Sequence, residues 1–221
     1  MNNITLISTT HSESGKCTSD ELYKIIESIN PKVIFEELTI DLFDKIYNKH
    51  FPHNILEVKC IQNYINNHNI IHIPVDIDAS PNLSNNEIHY MYDSFKKYHV
   101  YKSLEQEQNS LIELCGHAFL NSKKCSDLFD KKMQTEKYLL GFGTDKNNLI
   151  RIHNLFHEEQ DKRESAILRN IYDYAIENPF STAVFLIGAA HRTSLIQKIN
   201  GLETTEELKL NWKLYNNNSK Y

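Results

Sequence analysis

The stretch Ser181-Thr182-Ala183-Val184-Phe185-Leu186-Ile187-Gly188-Ala189-Ala190-His191 is an apolar run of strand length, then small residues around a glycine, then a histidine where the strand should end. A near twin stands at the other end of the chain, Ile4-Thr5-Leu6-Ile7-Ser8-Thr9-Thr10-His11. The earlier run is not a clean apolar–polar alternation, which suits a strand covered on both faces. After it, Thr18-x-x-Glu21 is a capping-box pattern that predicts a helix start, and Leu22, Ile25, Ile26 and Ile29 give that helix one apolar stripe. Asn30-Pro31 stops it, and Val33, Ile34 and Phe35 form a second strand that runs into Glu36 and Glu37. Strand, helix and strand in so short a span make a βαβ unit with parallel strands. His11 and Glu37 then share the carboxyl edge of the sheet, the edge where open α/β sheets bind ligands.

Outward from these anchors, Ile40 to Tyr47 reads as a short helix and Leu56 to Ile65 as a better one. Ile70 to Val75 is a third strand ending at Asp76-Ile77-Asp78, and Pro74 places it at an edge or a bend. Pro81 to Asn86 is a loop. Glu87 to Leu140 lacks any strand-like run and predicts a helical insertion placed to cover a site. Gly141 to Thr144 is a hinge or loop. Asn148 to Glu177 is a long amphipathic helix stopped by Asn178-Pro179, and a helix from about Thr193 to Ile199 follows the His191 strand. Leu208 to Tyr215 alternates as a last, edge strand, and the Asn-rich tail after it is expected to be disordered. The fold class is α/β: a mostly parallel or mixed central sheet flanked by helices, one domain over residues 1–221 with a helical insertion at 87–140.

The composition narrows the function. With 24 Lys and Arg against 29 Asp and Glu, net charge −5, and the basic residues dispersed, no nucleic-acid partner is expected. No apolar run approaches the roughly 20 residues of a membrane span, so no membrane partner is expected either. The start lacks a signal-peptide layout, and Cys17, Cys60, Cys115 and Cys125 form no CxxC pair. Together these features predict reduced thiols in a cytoplasmic protein. A small-molecule or peptide substrate fits best. Self-association into a homo-oligomer stays open.

His11 and His191 are the sharpest chemical signal, because imidazoles at matching strand ends can ligate a metal or act as a base near neutral pH. Glu37 continues the Val33–Phe35 face by two-residue alternation, and Glu36 shares a face with Ile34, so one of the two is expected to enter the site. Asp76 and Asp78 are placed either to orient a histidine or to make a turn. Arg163 is a candidate for stabilising an oxyanion or binding a substrate carboxylate. His153 and His157 form an i, i+4 pair, but Asn154 and Leu155 after His153 exclude HExxH. For that pair a solvated helix face is the expected reading, with a metal site as the lesser alternative. His117 has no strand before it and carries little weight. No Gly-x-Ser-x-Gly is present, and Cys115 has no evident partner, so nucleophilic catalysis is not indicated.

Ser8-Thr9-Thr10-His11, Pro31 to Glu37-Leu38, Arg163 and Gly188-Ala189-Ala190-His191 fall in the order of the motifs of the TraB/Tiki superfamily, which takes in erythromycin-esterase-like and ChaN-like proteins. The chain resembles that superfamily over about residues 4–38 and 160–199, with Ser8 where the first Gly-x-x-His usually has glycine. The resemblance implies an α/β core whose cleft carries both histidines, a glutamate and an arginine. Members include metal-dependent proteases, metal-free esterases with a histidine base, haem binders and proteins that dampen peptide signals. The leading expectation is a metal-dependent hydrolase of peptide or ester bonds; the alternatives are a metal-free esterase with His11 as base and a non-catalytic peptide- or haem-binding protein on the same fold. His11, Glu37 and His191 would hold a divalent ion (Mn, Zn, Fe or Co), with Glu36, Arg163 and Asp76 as the catalytic residues around it.

Overall fold

A computed structural model describes residues 2–78, 82–142, 145–202 and 210–216. Strand β1 spans Asn3–Thr9 and is followed by α1, Ser19–Ile29. The Thr18 hydroxyl accepts a hydrogen bond from the Glu21 N–H at 3.2 Å, as the capping pattern requires. α1 ends on Asn30 with a left-handed φ of 51°, a conformation that asparagine tolerates better than most residues. Strand β2 is Val33–Glu36, and α2, Ile40–Phe43, runs on into a π turn at Asp44–Asn48. Then come α3 (Leu56–Ile65), β3 (Ile71–Pro74), α4 (Asn85–Lys96), α5 (His99–Cys115), α6 (His117–Leu120) and α7 (Lys123–Leu139). The long helix α8, Lys146–Glu177, leads into β4 (Thr182–Gly188), a 3₁₀ turn at Ala189–His191, α9 (Arg192–Leu202) and β5 (Asn211–Leu214). Gly143 and Thr144 of the expected hinge, residues 79–81, Leu208 and the tail from residue 217 lie outside the described residues.

The five strands form one sheet in the order β3-β2-β4-β1-β5, and every neighbouring pair is parallel. The central sheet is therefore purely parallel, with β3 and β5 at its edges. β4 lies between β1 and β2. Its Gly188 is level with Thr9, and its Leu186 is level with Glu36. The register therefore brings the strand leading to His191 between the strands leading to His11 and Glu37.

Each face of the sheet is covered. On one side Ile7, Ile34, Val184 and Leu186 pack with Leu22 and Ile26 of α1 and with Ile61 and Tyr64 of α3. On the other, Ile4, Leu6, Phe35 and Phe185 pack with Ile167, Leu168 and Ile171 of α8 and Leu195 and Ile199 of α9. Each such side chain, taken fully out of water, contributes roughly 1.5–3 kcal/mol. The insertion is not a detached flap. Ile112, Phe119, Leu120 and Leu128 join the same cluster as Ile7 and Ile34. A further cluster, Met91, Phe95, Tyr101 and Leu139, is completed by Leu149 and Ile152 at the start of α8. With 32 residues, α8 is about 48 Å long, so one half covers the sheet and the other half binds the insertion. No described helix is long and apolar enough to cross a membrane.

Candidate active site at the carboxyl edge of the sheet

β1 delivers His11 two residues past its end. The ring is 64 % exposed, but its Nδ1 turns inward to Glu57 Oε1 at 3.2 Å. Glu57 sits in the first turn of α3, which is tied to this spot because the Leu56 N–H donates to the His11 carbonyl at 3.0 Å. The same Glu57 oxygen accepts the Thr9 hydroxyl at 2.6 Å. Glu57 Oε2 is buried and has no hydrogen-bond donor among the described residues. The charge of this carboxylate is thus answered from one side only. The hydrogen bond to Glu57 raises the His11 pKa to about 9, against partial burial, and the charges of Glu57 and Glu37 add to the rise.

β2 delivers Glu37 and β4 delivers His191. Glu37 Oε2 accepts the Gly188 N–H at 2.7 Å, and Glu37 Oε1 stands 3.5 Å from His191 Nε2. The other ring nitrogen, His191 Nδ1, is 2.9 Å from Glu164 Oε1 of α8, and the Ser194 hydroxyl donates to the second oxygen of Glu164. A carboxylate facing Nδ1 accepts its proton, so in both histidines Nε2 is the nitrogen that carries the lone pair whenever the ring is neutral. Gly188 is the meeting point. A methyl group there would lie 3.4 Å from Glu37 Oε2, 3.7 Å from His11 Nε2 and 3.7 Å from His191 Cδ2.

Arg163, on α8, completes this edge. Its Nε and Nη2 donate to the two oxygens of Asp76, with the Nε bond at 3.2 Å, and Nη2 is also 3.4 Å from Glu37 Oε1. Asp76 therefore orients the arginine, since β3 lies beside β2 on the side away from β1, and its Oδ1 also accepts the Ile77 N–H at 2.8 Å, as a turn residue does. Asp78 is exposed. Glu36 faces the opposite way from Glu37. Its two oxygens hold His72 Nδ1 at 2.6 Å and the Tyr47 hydroxyl at 2.8 Å, and the π turn brings Tyr47 to it. Glu36 is buried, and each of its oxygens is engaged by one of these partners. A cavity of about 380 Å³ is lined by His11, Glu36, Glu37, Glu57, Asp76 and Arg163. Four carboxylates against one guanidinium and one imidazole make it a field for a cation.

The residues missed in the sequence are Glu57 and Glu164, which hold the two histidines. Both carried a signal. Glu57 is in register with Ile61 and Tyr64, and Glu164 with Ile167, Leu168 and Ile171, so each is an acid on an apolar helix stripe. Ser8, in the position where glycine was usual, is fully buried and accepts a hydrogen bond from Arg192 at 3.2 Å. His117 is buried, with Nε2 3.0 Å from the Thr18 carbonyl oxygen.

His153 and His157 do not form a solvated face. His153 is 3 % exposed, and the pair looks towards α7, where Glu136 is also buried. Among the described residues, Glu136, His153 and His157 form the trio of possible metal ligands whose donor atoms all lie within 4.8 Å of one another. His11, Glu37 and His191 surround Gly188 more loosely than that. Against known proteins, the chain matches no family model, no curated protein and no solved structure.

Proposed function

We propose that the chain is a metal-dependent hydrolase of peptide or ester bonds, with His11, Glu37 and His191 as the ligands of a divalent ion. One observation carries this reading. Each histidine has Nδ1 turned onto a carboxylate, Glu57 or Glu164, and its Nε2 on the side of Glu37 and Gly188. Carboxylate, histidine and metal in line is how proteins fix the tautomer and raise the basicity of a ligating imidazole. Two imidazoles and a carboxylate suit zinc, manganese, iron or cobalt. When bound, such an ion supplies an activated water with a pKa near about 7 and polarises a carbonyl.

The chain's own residues set the rest. Glu57 and Glu164 keep a proton on each Nδ1. Asp76 holds the Arg163 guanidinium at the cavity wall, where it neutralises negative charge on a substrate oxygen or binds a substrate carboxylate. Glu36 braces Tyr47 and His72 below the site. The order of the TraB/Tiki-like motifs supports the same reading. A metal-free base at His11 is the weaker reading, since it gives no role to the second ring, His191, whose Nε2 stands 3.5 Å from Glu37 Oε1 beside the same Gly188.

The test is hydrolysis of a chromogenic ester and of a mixed peptide library by stripped protein restored with each ion in turn. Activity should depend on one of the ions. Glu57→Gln and Glu164→Gln should each weaken ion binding roughly 10–100-fold. Ester hydrolysis that survives exhaustive chelation would favour the metal-free esterase. Esters and peptides left intact under every ion would leave a binding protein.

A further inference from the structure

A second cavity, of about 670 Å³, lies between α8 and the helices of the insertion. α8 presents His153, His157, Gln160 and Glu164 on one face, at helical spacing. Glu164 belongs to the site at the sheet edge. His157 lies seven residues earlier, about 10 Å along the helix. Both residues, with Glu136 and His191, line this same cavity.

Around His157 the donor atoms are close. His157 Nε2 is 3.0 Å from His153 Nε2, and His153 Nε2 is 3.8 Å from Glu136 Oε2. With metal–ligand bonds of about 2.0–2.2 Å, two donors on one ion stand about 3.0 Å apart at a right angle and about 3.4 Å apart at the tetrahedral angle. The three side chains need only small movements to close on an ion. Glu136 is held in place from behind, because the Tyr101 hydroxyl donates to its Oε1 at 2.9 Å and leaves Oε2 for the histidines.

A hydrogen-bonded histidine pair alone leaves Glu136 unexplained. A buried carboxylate is costly unless it meets a cation. Among the described residues its neighbour Lys132 makes no direct ion pair with it, though the two charges attract. The Lys132 amine donates to Gln108 at 3.0 Å, stands 4.0 Å from Glu105, and lies over the Tyr101 ring. We propose that Glu136, His153 and His157 bind a second divalent transition-metal ion, whose open side faces the larger cavity. The open position takes water or a negatively charged group of a molecule lying in that cavity.

This site does not depend on the one at Gly188, and the test keeps them apart. Stripped full-length protein is titrated with Co(II) alone, and bound equivalents and visible absorption are read. A His11→Ala/His191→Ala variant should retain one equivalent, and adding His157→Gln to it should remove that equivalent. Glu136→Gln, which keeps the Tyr101 hydrogen bond, should weaken it at least 10-fold. In the wild-type protein Zn(II) should shift the ring resonances of His153 and His157, a readout that needs no variant. The proposal is overturned if the His11→Ala/His191→Ala variant binds no cobalt, if folded His157→Gln protein binds as much as its parent, or if those resonances stay in place.

Discussion

Gly188 stands where the two histidines and Glu37 converge, and it separates site from fold. Its φ of −55° and ψ of 136° suit any residue, and an added methyl would meet Glu37 Oε2 at 3.4 Å. Gly188→Ala should therefore change stability by less than about 1 kcal/mol, measured by unfolding in chelator, while filling the space between the ligands. A cobalt titration should show at least a 10-fold loss at this site, and unchanged affinity would mean that no ion sits there. His11 offers a test by pH. In metal-free protein its ring should titrate at about 9 by NMR, and in Glu57→Gln the midpoint should return towards 6.5. The folded pKa is raised above the unfolded value. The pair's contribution to stability is thus fully present below pH 6.5 and is lost as pH rises through about 9. Urea melts should show the advantage of wild type over Glu57→Gln at pH 6 and its loss by pH 10. An advantage that does not vary with pH would mean that ring and carboxylate are unpaired.

At the scale of elements, Thr18→Ala should cost about 1 kcal/mol, since it removes the cap of α1, and should leave ion binding unchanged. A thermal melt and a metal titration of the same sample check both halves. Local grammar of this kind was legible. The cap, the Asn30-Pro31 stop and the alternation that separates Glu36 from Glu37 all follow from neighbours in sequence. The strand pairing was legible in direction too, because a βαβ unit has one stable arrangement. What escaped was partnership between elements. Glu57, Glu164 and Glu136 each lie in register with an apolar stripe, where an acid is buried only if something distant meets it. His153 lies beside Ile152 in the same way. It reads as solvated only if α8 is supposed to have one covered face, whereas the insertion covers its first half. Asp76 was read as orienting a histidine or as a turn residue; two residues past the end of the edge strand β3, it accepts the Ile77 N–H at 2.8 Å and holds Arg163.

At the scale of the whole molecule, α8 ties the insertion to the sheet, so the two should unfold together. Ile152→Ala, at a fully buried position in the insertion cluster, should cost about 2–5 kcal/mol. The fluorescence of Trp212 on β5 and the helical circular dichroism should shift by the same amount. Separate transitions would show an insertion that folds alone. The same continuity sets both cavities along α8, with Arg163 lining the smaller and His157, Glu164 and His191 lining the larger. The central claim is that the ends of β1, β2 and β4 hold an ion. Its most direct test is metal analysis by inductively coupled plasma mass spectrometry in a His157→Gln background, so that only the ion at the sheet edge is counted. The account predicts close to one equivalent of manganese, zinc, iron or cobalt, lost in His11→Ala and in His191→Ala. The same metal content with and without those histidines, or none after incubation with each ion, would contradict it.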